Sequence, residues 1–312
     1  MAEFEPAYRK LLRDGGFPER VQRAQAALTA CTLCAWECHV DRTQKIGFCR
    51  TGADAIVSSA FPHMGEEDPL RGWRGSGTIF FSLCNLRCQF CQNYEISQEG
   101  DGSPASAEEI AGLMLQLQDA GCHNINLVSP SHVVSPIIAA VYLAAQAGLN
   151  IPLVYNTGGY DSLDALKLLD GIIDIYMPDM KYADPELAQR YSKIPDYPAR
   201  NQAAIREMHR QVGDLQLDES GIALRGLLVR HLVLPEGVAG TAEIVRFLAG
   251  EISPDTYINI MGQYRPAWHV QQRQIAPLNR PVTPAEIQEA KAIAEEAGLR
   301  LDQRRGWFIR RL

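Results

Sequence analysis

From Gly77 onward the chain repeats one theme, a short β-branched strand, a turn and an amphipathic helix, and this alternation constrains the fold more than any other feature. Strands are expected over 78–83, 125–128, 151–156, 172–177, 227–234 and 257–261. Helices are expected over 107–120, 134–147, 162–169, 185–212 (broken near Pro195 and Pro198) and 241–250. Strict alternation predicts an α/β fold with a parallel sheet and right-handed crossovers. Six such units make a partial (β/α)6 barrel or an open, strongly curved sheet. A last helix over 284–296, with Thr283 as its N-cap, leads to Trp307-Phe308-Ile309, which is expected to pair at a sheet edge. The expected division is 1–75 for a helical and four-cysteine segment, 76–265 for the barrel, and 266–312 for a C-terminal loop, helix and tail.

In such a barrel the working face is formed by the loops after the C-terminal ends of the strands. Cys84 to Cys91 lies in the loop after the first strand, Ser129-Pro130-Ser131-His132 after the second, and Asn156-Thr157-Gly158-Gly159 after the third. Asp179-Met180-Lys181 follows the fourth strand and Gly262-Gln263-Tyr264-Arg265 the sixth. All of them are expected to converge on one mouth, and the segment 266–281 either covers it or runs as a plain surface loop.

The loop after the first strand carries Cys84-x3-Cys88-x2-Cys91. Three thiolates at this spacing suit three of the four irons of a [4Fe-4S] cluster, leaving one iron without a protein ligand and open to chemistry. The next cysteine, Cys122, lies beyond a helix of roughly 20 Å that returns the chain to the far end of the sheet, so it should not reach the cluster. The competing readings are a three-thiolate zinc site or three reduced thiols, although closed zinc sites recruit four ligands.

A second group, Cys31-x2-Cys34-x3-Cys38-x10-Cys49, provides four thiols within a short span. It suits structural zinc, a single iron or a second iron-sulfur cluster, with thiols packed in a small core as the alternative. Closed coordination there would stabilise the segment or relay electrons. His39 is read as a surface residue beside Cys38 rather than a ligand.

The net charge of −7 argues against a partner held through phosphate contacts, which leaves nucleic acid out and favours a small molecule, peptide or protein. The basic run Arg304, Arg305, Arg310 and Arg311 is read as a solvated tail. The longest apolar run, 137–145, is far too short to span a bilayer, and no membrane partner is expected. The first ten residues lack the pattern of a secretory signal, and cysteines in tight local groups read as metal or cluster ligands of a reducing compartment, so the expected location is the cytoplasm.

With the three-cysteine loop at the top of the first strand, the sequence resembles the radical S-adenosylmethionine (SAM) enzymes. More narrowly, it resembles relatives of the pyruvate formate-lyase activating enzyme. The narrower match rests on Cys-Thr-Leu-Cys-Ala-Trp-Glu-Cys before the barrel, Asn-Ile-Asn-Leu-Val-Ser-Pro-Ser-His at the second strand and Ile-Asn-Ile-Met-Gly-Gln-Tyr-Arg-Pro at the sixth. The resemblance covers 31–266. It implies a reduced [4Fe-4S] cluster at Cys84, Cys88 and Cys91 whose open iron is chelated by the amino and carboxylate groups of S-adenosyl-L-methionine. One electron enters the sulfonium, a C–S bond breaks, and a 5'-deoxyadenosyl radical abstracts hydrogen from the substrate. A reductase, or an electron donor of flavodoxin or ferredoxin type, is implied as partner.

The resemblance carries over to further residues one by one. Phe90 would pack on the adenine, or else anchors the loop. The family's Gly-Gly-Glu for the methionyl amine is absent, and Ser129, Ser131 and His132 inherit that role. Asn156, Thr157 and Asp179 stand where the activating enzyme holds a cation beside the SAM carboxylate, with one carboxylate fewer here. Lys181 accompanies Asp179 either in SAM binding or as a charge pair at the rim. Arg230 matches the arginine that pairs the SAM carboxylate and should face the mouth, whereas its neighbour His231 should pack among helices. Gln263, Tyr264 and Arg265 reach adenosine or substrate, or serve as strand-end residues without a ligand.

The function implied is reductive cleavage of SAM and hydrogen abstraction from a protein or peptide, in the manner of an activating enzyme, or from a small molecule. The alternative is an iron-sulfur redox or electron-transfer protein without SAM chemistry.

Overall fold

The computed structural model describes residues 4–302, and the expectations placed on Arg304, Arg305, Trp307-Phe308-Ile309, Arg310 and Arg311 lie outside them. Among the described residues the strands are β1 (Ala55–His63), β2 (Ser76–Phe81), β3 (Ser103–Ala105), β4 (Ile125–Val128), β5 (Leu153–Thr157), β6 (Ile175–Pro178), β7 (Gln216–Leu217), β8 (Ala223–Leu232), β9 (Tyr257–Met261) and β10 (Arg300–Leu301). The helices are α1 (Ala7–Arg13), α2 (Phe17–Ala26), α3 (Asp68–Arg71), α4 (Ala107–Asp119), α5 (Val134–Gln146), α6 (Leu163–Leu169), α7 (Pro185–Ser192), α8 (Tyr197–Val212), α9 (Thr241–Phe247), α10 (Trp268–Arg273) and α11 (Pro284–Glu296). No helix among the described residues is long and apolar enough to cross a membrane.

Strands β2, β4, β5, β6, β8 and β9 lie side by side in that order and all pair parallel, which is the expected α/β arrangement of a partial barrel. Most of their positions are buried and apolar, as strands covered on both faces require, with Thr78, Asn126 and Asn156 among the buried polar exceptions. Helix starts follow from local chemistry. Ser106 and Glu109 form a reciprocal capping box on α4, Thr283 and Glu286 do the same on α11, and Ser162 caps α6. The expected 185–212 helix is two: Lys193 takes a left-handed conformation that ends α7, and Pro198 opens the first turn of α8.

The structure adds an antiparallel element that the alternating pattern does not contain. β1 pairs with the free edge of β2, from His63 opposite Ser76 to Val57 opposite Phe81, and β3 continues the layer. β6 begins later than expected because the Ile172 and Ile173 amides close the end of α6 on the Leu169 carbonyl. β8 begins earlier because Ala223 pairs with Leu217.

At the N-terminal ends of the strands, α1 is anchored beside β5 and β6 and packs on α5. The buried Asp174 carboxylate accepts from the amides of Ala7 and Leu153 at 2.8 and 3.0 Å, and the Tyr8 hydroxyl donates to the Ile151 carbonyl at 2.9 Å. The opposite end is left for loops.

Candidate active site

The three-cysteine loop begins where β2 stops. Leu83 turns left-handed (φ 67°), and its amide donates to the Ile96 carbonyl at 2.9 Å, so the chain leaves the sheet at Cys84. The loop is fastened on every side. The Asn85 amide group donates to the Tyr160 carbonyl at 2.7 Å, Arg87 donates to the carbonyls of Cys84 and Phe48 at 2.8 and 2.7 Å, and the Gln89 amide reaches Tyr191 at 2.8 Å. Gly158 makes room for it, since a Cβ there would lie 2.5 Å from the Leu86 Cδ1.

Each sulfur meets one donor. The Leu86 amide lies 3.4 Å from the Cys84 Sγ, the Ser192 hydroxyl donates to Cys88 at 3.1 Å, and the Ser97 hydroxyl lies 3.1 Å from the Cys91 Sγ. Burial first, then the neighbouring Cys88 and Cys91, push the Cys84 thiol up to about 12, so all three sulfurs share one neighbourhood. Binding a metal would displace such a proton and repay the desolvation. Cys122 sits at the other end of β2, beside Gly77.

A charged group faces the loop from the ends of three strands. Arg230 on β8 donates from Nε to Asp179 at 2.9 Å and from Nη2 to the Asn156 side-chain oxygen at 2.6 Å. Lys181 Nζ closes on the second Asp179 oxygen at 2.5 Å. Burial alone would raise the Asp179 carboxyl, but the Arg230 and Lys181 charges outweigh it and hold it below the usual range. Lys181 responds to Asp179 and also to Cys88, which sets this group against the thiols.

Three other expected residues, Ser131, Thr157 and His132, are buried beneath the mouth. Ser131 and Thr157 share a 2.8 Å hydrogen bond, and Thr157 donates to Asp161 at 2.6 Å while Tyr155 donates to the other Asp161 oxygen at 3.0 Å. Asp161 thus supplies a buried carboxylate four residues after Thr157, a position the sequence reading passed over. His132 is wholly buried, its Nε2 3.0 Å from the Ser82 carbonyl, with its own carbonyl taken by Arg42. Burial holds this ring at about 4 and so neutral. Ser129 turns left-handed at the end of β4 (φ 59°).

Phe90 is buried with its ring against Tyr182 and Tyr264. Gln263 and Arg265 are exposed, and the Gln263 carbonyl accepts from Gln92 at 3.3 Å. His231 packs inward as expected, bonded to the Met180 carbonyl and the Thr241 hydroxyl at 2.8 and 2.9 Å. The segment after β9 folds over the cysteine loop: the Val270 amide donates to Gln89 at 3.0 Å and Tyr264 donates to the Leu278 carbonyl at 2.6 Å.

The four-cysteine segment lies directly against this loop. Trp36 Nε1 donates to the Asn85 carbonyl at 2.7 Å and the Ala35 amide to Tyr160 at 3.5 Å. Buried Arg42 approaches the Cys31 Sγ at 3.7 Å, and His39 is exposed. Among the described residues no three His, Cys, Asp or Glu side chains gather as they would around a single ion, so the expected second metal at Cys31, Cys34, Cys38 and Cys49 gains no support from their arrangement. A cubane cluster makes a different demand, because each thiolate takes a separate iron and the sulfurs stand wider apart than around one ion. Among the described residues Cys84, Cys88 and Cys91 form no single-ion set either, and three thiols on one loop are the donor set such a cluster takes.

The mouth also holds an acidic group absent from the sequence reading. Between β1 and α3, Glu66 and Glu67 face a cavity of about 620 Å³ that also touches Phe80, Asn156, Arg230 and Asn259. Glu67 accepts from the Asn259 amide group at 2.9 Å, across the side where β2 and β9, the first and last parallel strands, are not paired with each other. An acidic pair beside a glycine in a loop carries no periodic signal, and only the fold brings it to the mouth.

Residues 78–220, which include the cysteine loop, match the Radical SAM superfamily. The chain is 30% identical over 293 residues to the uncharacterized protein MJ0674 of Methanocaldococcus jannaschii, covering 90% of this chain and 79% of that one. Among solved structures it is similar to Streptococcus suis SuiB bound to S-adenosylmethionine (TM-score 0.43, 14% identity, 70% of this chain) and to HydG, a maturase of the [FeFe]-hydrogenase (TM-score 0.47, 12% identity, 69% of this chain). The chain spans 44% and 47% of the lengths of those two. The superfamily match falls on the same residues that build the strand-top loop of three thiols, and the chain belongs to the radical SAM superfamily.

Proposed function

We propose that this protein cleaves S-adenosylmethionine reductively at a [4Fe-4S] cluster held by Cys84, Cys88 and Cys91, and that it acts on a protein or peptide substrate in the manner of an activating enzyme. The observation that carries the reading is the placement of the three thiols beside the Arg230, Asp179 and Lys181 group, on loops at the same end of the sheet. When bound, a reduced cluster would supply one electron to the sulfonium of SAM, whose C–S bond would break to give methionine and a hydrogen-abstracting radical.

The chain's own residues do the rest. Arg230 and Lys181, both held by Asp179, would present N–H donors to the SAM carboxylate. Phe90, buried against Tyr182 and Tyr264, anchors the cysteine loop. The Ser192 and Ser97 hydroxyls and the Leu86 amide donate to the sulfurs and stabilise them as thiolates. The segment from Ala267 to Leu278 shields the loop from water, which protects reactive species from side reactions.

The test is the spectrum of the reduced, reconstituted protein. Adding SAM should change the electron paramagnetic resonance of the cluster, as a ligand on an open iron must. A spectrum indifferent to SAM would favour the alternative of a redox or electron-transfer protein. Substrate class is then decided by whether radical or hydrogen transfer is found on a protein, a peptide or a small molecule.

A further inference from the structure

The Glu66–Glu67 pair is unusual in its pairing. Glu66 lies 3.4 Å from the His63 Nδ1 and 3.9 Å from the Arg230 Nη1. Glu67 is only 7% exposed, one of its oxygens is taken by Asn259, and the other, Oε2, is buried without a hydrogen-bond partner among the described residues. The nearby cations are committed elsewhere, since Arg230 serves Asp179 and Asn156, and Arg71 serves Asp68 at 2.5 Å. A buried carboxyl oxygen without a donor costs about 1–3 kcal/mol, and this residue lines a cavity from which a donor can enter.

We propose that Glu66 and Glu67 form a recognition site for a positively charged nitrogen of the substrate, an ammonium or guanidinium group entering the mouth across the gap between β2 and β9. This names a substrate class for the proposed activity and rests on that reading only for the word substrate. The cavity is large enough for a side chain or a small amine. Among the described residues no set of acidic and histidine side chains there would hold a metal ion. SAM also carries an ammonium group, and titration in the presence of saturating SAM separates that cation from one brought by a substrate.

The electrostatics give the site a pH signature. The groups around Glu67 are His63 and Glu66 on its own loop, Asp68 and Arg71 on α3, Arg230 on β8, and Tyr257 on β9 with its partner Asp302. Burial, with the Glu66 charge added and Arg230 and Asn259 opposing, pushes the Glu67 carboxyl up to about 7. Burial also raises Glu66, but His63 and Arg230 outweigh it and hold it below its usual value. Near pH 7 Glu67 is about half protonated and shares that proton with Glu66, and an arriving cation favours the ionised pair. Cation affinity should rise with pH through about 7.

The experiment is calorimetric titration of agmatine, which carries both a guanidinium and an ammonium, into the anaerobically reconstituted protein saturated with SAM. Saturable binding is expected, with none for neutral 1-pentanol, and Glu67→Gln should weaken it at least about tenfold and flatten its pH dependence. Glu67→Asp should retain part of it. Circular dichroism and urea unfolding confirm that the variants are folded. Absence of saturable agmatine binding, or equal binding to the wild type and Glu67→Gln, overturns the proposal, as does loss of agmatine binding on adding SAM, which would give the site to SAM's own ammonium. A protein with Cys84, Cys88 and Cys91 all replaced by Ala should still bind agmatine. That arm separates this inference from the radical chemistry, which it leaves untouched if it fails.

Discussion

The indole nitrogen of Trp36 donates to the carbonyl of Asn85 at 2.7 Å, tying the segment that carries Cys31 to Cys49 to the loop that carries Cys84 to Cys91. The Trp36 ring also lies 3.9 Å from that of Phe48 and edge-on to Tyr160. Trp36→Phe keeps the ring contacts and should cost about 1 kcal/mol in urea unfolding. Trp36→Ala loses both and should cost about 2–4 kcal/mol. Iron retained after reconstitution should fall in the same order, because the loop loses a brace beside its first cysteine. Equal iron in both variants would show that the N-terminal segment does not support the loop.

Asp179 neutralises two buried cations. Asp179→Ala should destabilise the protein by about 3–5 kcal/mol, since Lys181 loses its carboxylate and Arg230 is left with Asn156 and the more distant Glu66. The pH dependence follows from the sign of the shift. Burial raises this carboxyl, Arg230 and Lys181 outweigh it, and its folded value lies below the ordinary 3.8. Its stabilisation is therefore complete well above 3.8 and disappears as pH falls through the lower, folded value. The stability gap between wild type and Asp179→Asn should be flat from about pH 5 to 8 and narrow below about pH 4. A gap that widens toward acid would contradict the assignment.

Much of this arrangement is legible in the sequence, for a physical reason. The parallel strands and their helices announce themselves by period, and the break between α7 and α8 by Pro195 and Pro198. Loops at strand ends inherit their positions from that frame, which is how Asn156 and Asp179 come to be expected at one mouth, whereas Arg230 is expected there from the family resemblance. β1 escaped because Ala-Ile-Val-Ser-Ser-Ala-Phe-Pro-His shows little alternation and its pairing with β2 is antiparallel, against the repeating pattern. Ser131 and His132 have hydroxyl and ring nitrogen atoms that the sequence cannot aim. The fold turns them to Thr157 and the Ser82 carbonyl. Glu66 and Glu67 became visible only when a contact spanning most of the chain, Glu67 to Asn259, was in place.

Gly159 sits with φ at 78°, and a Cβ there would lie 2.2 Å from the Asn201 Nδ2 and 2.3 Å from the Asp179 carbonyl oxygen. Gly159→Ala pays for a left-handed backbone and a clash with backbone at once, and should cost more than about 2 kcal/mol in urea unfolding. At Gly148, also left-handed but with nothing within 4 Å, the same change should cost only about 1 kcal/mol. Comparable losses at both positions would mean that the contact with Asp179 is not formed.

Cys88→Ala should abolish the cluster's visible absorbance and its iron, whereas Cys122→Ala, at the far end of β2, should leave both intact. Loss of the cluster in Cys122→Ala alone would move the ligand set away from the strand-top loop.

The most direct measurement is product analysis after anaerobic reconstitution, reduction with dithionite and incubation with S-adenosylmethionine. The wild type should release 5'-deoxyadenosine and methionine, and Cys88→Ala should release neither. A wild-type protein carrying a full, reduced cluster that still yields no 5'-deoxyadenosine, alone or with candidate substrates, would contradict the account.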